Sequence, residues 1–374
     1  MNPFHPLAWA HDTFWSLFTH GTVGLTAHSF DDADTATARP VVQPRPVVET
    51  PRAYRQAELP QEAIGMTWSS ERFEHEGTTY DVKLYIPSAY DGRPLPMIVM
   101  LHGAQQDSDD FATGTEMNVV AEERGFIVVY PEQPESSNPL KCWNWFLPAN
   151  QMRESGETAA IAALTRDVMA RYNVDDARVY VAGMSAGGAL AVNLAVTHPD
   201  LYAAAAVHSG LAFGVADEQI SALCAMNDGR GKVRLPQASF AASGTRAVPL
   251  IVFHGDADDT VHPLNSEQIV EMSRLMHCDV EGALPSAAAR AGRHEDGHAY
   301  TQRVFHDRDG VPVGEQWLVH GLGHAWSGGH PDGTHTDARG PHASREIVRF
   351  FDQFAIDRTA IQGDVCGRSE MSLP

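Results

Sequence analysis

Gly183-Met184-Ser185-Ala186-Gly187 is a G-x-S-x-G box set between an apolar β-type run, Val179 to Ala182, and a small-residue run, Ala189 to Ala195. A serine in that setting sits on a sharp strand-to-helix turn, with its hydroxyl exposed at the strand end. The flanking glycines follow from a turn too tight for side chains. The next backbone N–H groups open a helix, where they can face a developing oxyanion. A serine hydroxyl becomes a nucleophile only when a base removes its proton and an acid orients that base. Both partners follow in the order Ser, Asp, His. The run Val248 to Phe253 ends in His254-Gly255-Asp256-Ala257-Asp258-Asp259, which offers three acids. The run Trp317 to Val319 leads into His320-Gly321-Leu322-Gly323-His324. His324 is the expected base and His320 the reserve. A second oxyanion donor has to come from the loop after an earlier strand. Met97 to Leu101 ends in His102-Gly103-Ala104-Gln105, so the backbone N–H groups of Ala104 and Ala186 are the expected pair. His102 is read as structural. Gln105 either donates to substrate from its side chain or binds its own loop.

These residues need a framework of strands that all deliver their C-terminal ends to one edge. Apolar runs at Thr79 to Ile86, Met97 to Leu101, Phe126 to Tyr130, Val179 to Ala182, Ala203 to His208 and Val248 to Phe253 alternate with helical stretches at Ala159 to Tyr172 and Glu267 to Met276. That alternation predicts an α/β protein with a mostly parallel sheet. Val304 and Phe305 are expected to pair with Gln316 to Val319, and Glu346 to Phe354 to close the domain as an amphipathic helix. Residues 56–374 form the predicted catalytic domain. Residues 1–55 carry scattered aromatic groups, with Phe14, Leu17 and Phe18 at helical spacing, and then a proline-rich linker. With 374 residues, 43% hydrophobic and 20% charged, the chain suits one large domain with an appendage. Its net charge of −21 argues against nucleic acid and anionic lipid as partners. No apolar run is long enough to span a membrane. Cys142, Cys224, Cys278 and Cys366 are dispersed, so no zinc site is expected and disulfides are allowed but not required. Met1 to Phe30 lacks a basic start and an apolar core, so no secretory signal is read and a cytoplasmic location is expected.

His102-Gly103, Cys142-Trp143-Asn144-Trp145-Phe146, the box from Gly183 to Gly188, His254-Gly255-Asp256-Ala257-Asp258 and Gly323-His324-Ala325-Trp326-Ser327-Gly328-Gly329 together resemble the polyhydroxybutyrate (PHB) depolymerase family of esterases. The resemblance covers roughly residues 65 to 355. It implies an α/β-hydrolase fold and a Ser185–Asp258–His324 triad, and it selects Asp258 because the matching motif is H-G-x-x-D. It implies polyhydroxyalkanoates as substrates or, in related branches, feruloyl, acetyl-xylan and other small esters. It also suggests an extracellular setting. Many members have a cysteine where this chain has Ala104. Trp143, Trp145 and Trp326 are either cleft residues for an ester acyl chain or core residues. Trp143 is the leading substrate contact on the resemblance, with Trp326 and Gln105 beside it. The expected reaction is ester hydrolysis through an acyl-enzyme, with no metal or organic cofactor. Amide hydrolysis on a related polymer is an alternative, as is a non-catalytic protein that binds polyester granules.

Overall fold

The computed structural model describes residues 67–235, 246–277, 286–294 and 297–358. The expected N-terminal segment, the boundary near residue 55, and Cys278 and Cys366 lie outside them. Of the other two cysteines, Cys142 is a buried free thiol and Cys224 an exposed one.

The strands in chain order are β1 (Thr67–His75), β2 (Thr78–Ile86), β3 (Leu95–Leu101), β4 (Ile127–Pro131), β5 (Val174–Met184), β6 (Ala204–His208), β7 (Leu250–Gly255), β8 (Ser286–Arg293), β9 (Ala299–His306) and β10 (Pro312–Val319). They form one sheet of 10 strands in the order β1-β2-β4-β3-β5-β6-β7-β10-β9-β8. From β4 to β10 every neighbouring pair is parallel. β1 and β2 continue the sheet antiparallel at one edge, and β9 and β8 at the other. Glu76 and Gly77 turn β1 into β2 with φ of 48° and 82°, the left-handed pair that a two-residue hairpin demands.

The central strands are apolar because they are covered on both sides. In β5, Val179 and Val181 point into one core layer. Tyr180, Ala182 and Met184 point into the other, as a repeat of two requires. Helices α1 (Ser108–Thr115), α2 (Met117–Arg124), α3 (Gly156–Arg171), α4 (Ala186–Thr197), α5 (Gln219–Asp228), α6 (Leu264–Met276) and α7 (Ala343–Phe351) supply the crossovers and the cover. Helix α4 is buried along its whole length, which suits its mostly small and apolar residues, and its buried Asn193 donates to Trp145 O and Asn150 O. Helix α7 is amphipathic. It buries Ile347, Val348, Phe350 and Phe351, while Arg345 pairs with Glu123 and Arg349 with Glu315.

The expected strands and helices are present, with ends shifted by a few residues. The β9–β10 pairing also forms, but Gln316 to Val319 face Tyr300 to Arg303, while Val304 and Phe305 face Glu315 and Gly314. Five of the elements named above were not expected: β1, α1, α2, α5 and β8. β1 and β8 are edge strands with few large apolar residues, so alternation gives them weak signals.

Candidate active site

Ser185 occupies the turn between β5 and α4 with φ 55° and ψ −119°, a conformation that side-chain-bearing residues rarely adopt. Its amide donates to His208 O at 2.9 Å, and its carbonyl accepts from Ala189 N at 2.9 Å to start the helix. The glycines on either side are steric necessities. A Cβ on Gly183 would lie 2.3 Å from Gly187 O, and one on Gly187 would lie 2.1 Å from Leu101 O. The helix therefore presses against both its own strand and β3, and the serine is held at the strand end, 9% exposed. Among the described residues its hydroxyl finds no hydrogen-bond partner. That is common for a nucleophile without substrate.

The loops after β7 and β10 deliver the acid and the base to the same sheet edge. Asp258 Oδ2 accepts from His324 Nδ1 at 2.8 Å. Its Oδ1 accepts from Thr260 N at 3.0 Å and from Val261 N at 2.8 Å. His254 Nε2 lies 3.4 Å from Oδ2. Burial alone would raise the Asp258 carboxyl. The His324 charge and the hydrogen bonds from His254 and His324 outweigh burial and hold it far below the ordinary carboxylate range. The carboxylate is thus ionised, fixed on one oxygen by the backbone and aimed at the imidazole with the other. Among the described residues His324 Nε2 has no hydrogen-bond partner, which leaves it for a reacting group. The reserve histidine has a different partner. His320 Nδ1 lies 2.7 Å from Asp256 Oδ2 and its Nε2 2.9 Å from Thr301 Oγ1. Both of its nitrogens are engaged, which leaves none to take up a serine proton.

On the loop after β3, Gly103 N donates to Gln106 Oε1 at 2.9 Å and Gln105 N donates to Leu140 O at 2.8 Å. The amide between them, on Ala104, has no acceptor among the described residues, and neither does the Ala186 amide at the helix start. Gln105 itself is exposed and has φ 66°. His102 is held in the core. Its Nε2 accepts from Gln133 N at 3.0 Å, so its Nδ1 carries the proton and donates to Gly103 O at 2.7 Å. Burial pushes its pKa down and keeps it neutral.

Two substrate-contact expectations are corrected. Trp143 is 0% exposed, and its indole N–H donates to His102 O at 3.1 Å. It braces the loop that carries Ala104 from behind. Trp326 is 1% exposed, donates to Ser344 Oγ at 3.2 Å and stacks on His208 with ring centroids 5.1 Å apart. Neither ring has a face open to a ligand, and Trp145 is buried as well. A polar network holds the segment of Trp143 and Trp145 in place. Glu157 accepts from Asn144 N and Nδ2, both at 2.8 Å, and from Gln133 Nε2 at 2.6 Å.

Two positioning residues were not anticipated. His208, at the end of β6, accepts from Ser185 N through its carbonyl and from Ser327 N through Nε2 at 3.0 Å. One residue thus ties the serine turn to the loop that carries His324. Burial first, and then the nearby His254 and His324, push its pKa down to about 3, so it stays neutral and able to accept. Gln106 joins the Ala104 loop to the segment around Thr334, donating from Nε2 to Asp110 Oδ2 at 2.9 Å and to Thr334 Oγ1 at 3.2 Å. Neither role has a local signal, because the partners lie 119 and 228 residues away.

The family model described as Esterase PHB depolymerase matches residues 80–296, a span that includes Ser185 and Asp258 and ends before His324. Poly(3-hydroxyalkanoate) depolymerase C of Paucimonas lemoignei is 29% identical over 246 residues, 64% of this chain and 57% of that one. The chain therefore spans little more than half the length of that relative. Feruloyl esterase B of Neurospora crassa is 29% identical over 281 residues, 70% of this chain and 90% of that one. Among solved structures, the acetyl xylan esterase from Aspergillus awamori superposes with a TM-score of 0.58 at 21% identity, covering 76% of this chain and 99% of that one. That likeness is one of fold, and the fold is the α/β-hydrolase fold.

Proposed function

The chain belongs to the esterase PHB depolymerase family, and from that premise we propose that it is a serine esterase that hydrolyses ester bonds of polyhydroxyalkanoates, such as polyhydroxybutyrate, or of their oligomers, through Ser185, His324 and Asp258. Ser185 Oγ attacks the ester carbonyl carbon while His324 Nε2 takes the hydroxyl proton. The carbonyl oxygen becomes an oxyanion facing the N–H groups of Ala104 and Ala186. Collapse of the tetrahedral species breaks the bond to the alcohol oxygen, which receives the proton from His324. Water, activated by the same imidazole, then cleaves the acyl-serine and releases the acid. Asp258 keeps the imidazole in the tautomer whose Nε2 can accept and compensates the charge it acquires.

The observation that carries this reading is the hydrogen bond from His324 Nδ1 to Asp258 Oδ2, with the other carboxylate oxygen pinned by two backbone amides. A histidine so oriented, on the edge where Ser185 stands on a strained turn, supports acyl transfer better than a structural role. The coverage of the feruloyl esterase, 90% of its length, favours a second reading, a soluble feruloyl or acetyl ester as substrate. The two readings share the chemistry and differ in the substrate.

The test is release of soluble hydroxy acid from suspended amorphous polyhydroxybutyrate by wild type and Ser185→Ala, with p-nitrophenyl butyrate in parallel. Release by wild type alone is the expected result. Cleavage of the small ester without polymer release moves the substrate to soluble esters. Equal activity of Ser185→Ala on both substrates would refute the nucleophile.

A further inference from the structure

His335 stands beside the proposed base and has no role in the steps above. Its ring lies edge-on to His324, with centroids 6.3 Å apart and planes at 80°. The residue is exposed, yet its backbone is held at φ 52°. Strain of this kind at a residue with a large side chain persists only where the surroundings over-determine it, and here they do. His335 O accepts from Trp326 N at 2.6 Å. On one side, Thr334 N donates to Asp110 Oδ1 at 2.8 Å, and Gln106 Nε2 reaches Thr334 O at 3.3 Å. On the other, Thr336 and Asp337 pair as a short parallel bridge with Trp326 and Ser327. The chain thus fixes both neighbours of His335. Its imidazole stands at the surface against His324, with Nδ1 3.2 Å from Thr334 Oγ1 and Nε2 turned to solvent or a ligand.

We propose that His335 is a substrate-contact residue that reads the alcohol half of the ester; the inference rests on the esterase reading above. The leaving alcohol oxygen takes its proton from His324 Nε2, so the alcohol half has to lie against that imidazole. Among the described residues, His335 is an exposed polar side chain packed there. An imidazole donates to a carbonyl or accepts from a hydroxyl. In a polyester the alcohol half brings the carbonyl of the next repeat, and that carbonyl is the group His335 engages. A plain aryl leaving group has no such carbonyl.

Two butyryl esters that differ only in the alcohol half test this. They are methyl 3-(butyryloxy)butanoate, read as butyrate released, and p-nitrophenyl butyrate. They form the same acyl-enzyme, so a difference in kcat/KM reports the alcohol half. His335→Phe keeps a ring and removes the hydrogen bond. It is expected to lower kcat/KM on the first ester about five-fold or more, the weight of one hydrogen bond, and to stay within about two-fold on the second. His335→Asn tolerates the left-handed backbone and keeps a donor, so it is expected to retain most of the activity on both. Equal losses on the two esters, or no loss on either, would overturn the inference while leaving the esterase reading intact. Wild-type protein inert toward both would overturn the two together.

Discussion

Replacing Asp258 with asparagine isolates the orienting role of the carboxylate, and the geometry fixes which way the new amide must turn. Oδ1 receives two backbone N–H groups, from Thr260 and Val261. Only an oxygen can sit there, so in Asp258→Asn the amide nitrogen is directed at His324 Nδ1. That NH2 needs an acceptor, and the imidazole can supply one only by moving its proton to Nε2. A protonated Nε2 cannot take the proton of Ser185. In serine hydrolases the wrong tautomer costs about 10⁴ in kcat. At 1.36 kcal/mol per factor of ten this is about 5.5 kcal/mol of transition-state stabilisation. Folding should survive, because both backbone donors keep an oxygen acceptor. The assay is kcat/KM on p-nitrophenyl butyrate at pH 8, with Tm measured alongside. Asp256→Asn serves as the companion, because Asp256 pairs with His320 in a half-exposed site. Exposed pairs of this type are worth about 1 kcal/mol or less, so this variant should stay within a few-fold of wild type. An Asp258→Asn variant that keeps more than about a tenth of wild-type kcat/KM, or that loses less than Asp256→Asn, would refute the argument and move the acid to Asp256.

Two further outcomes follow from packing and burial. Gly187→Ala places a methyl group 2.1 Å from Leu101 O, where only backbone displacement can relieve it. It should cost several kcal/mol of stability and abolish activity together, and a variant with wild-type Tm would contradict the packing argument. Burial pushes His208 to about 3 and His198 and His277 to about 4, against about 6.5 in the unfolded chain. The unfolded chain then binds protons that the native state refuses, so stability is full above pH ~6.5 and is lost as pH falls. Burial raises Glu157 to about 7, which works in the opposite direction over the same interval. Tm should therefore fall from pH 7 to pH 5, and fall more steeply in Glu157→Gln. A Tm that rises toward pH 5 would show that these histidines are protonated in the folded protein.

What the sequence made legible was what short-range sterics dictate. Gly183 and Gly187 are needed because two backbone segments pass within contact of them, and that need appears as two glycines at fixed spacing around Ser185. The strand ends before Ser185 and Asp258 have apolar signals because they are covered on both faces, whereas the strand leading to His324 shows only the short run Trp317 to Val319 after Glu315 and Gln316. The tryptophans show the limit. A tryptophan suits a cleft or a core equally well until its N–H finds an acceptor, and those acceptors, His102 O and Ser344 Oγ, lie 41 and 18 residues away. His208 reads as the polar end of a strand. Its use as a brace depends on Ser327 arriving from another loop.

The left-handed backbone at Ser185 also bears on how such a chain can drift. A non-glycine residue in a sparsely populated region costs about 1–3 kcal/mol, and glycine would occupy the same turn without that cost. Ser185→Gly should therefore yield a protein more stable than Ser185→Ala, and a lineage released from selection for turnover has a downhill route to glycine here. A serine still present on this turn is one that thermodynamic stability alone does not retain.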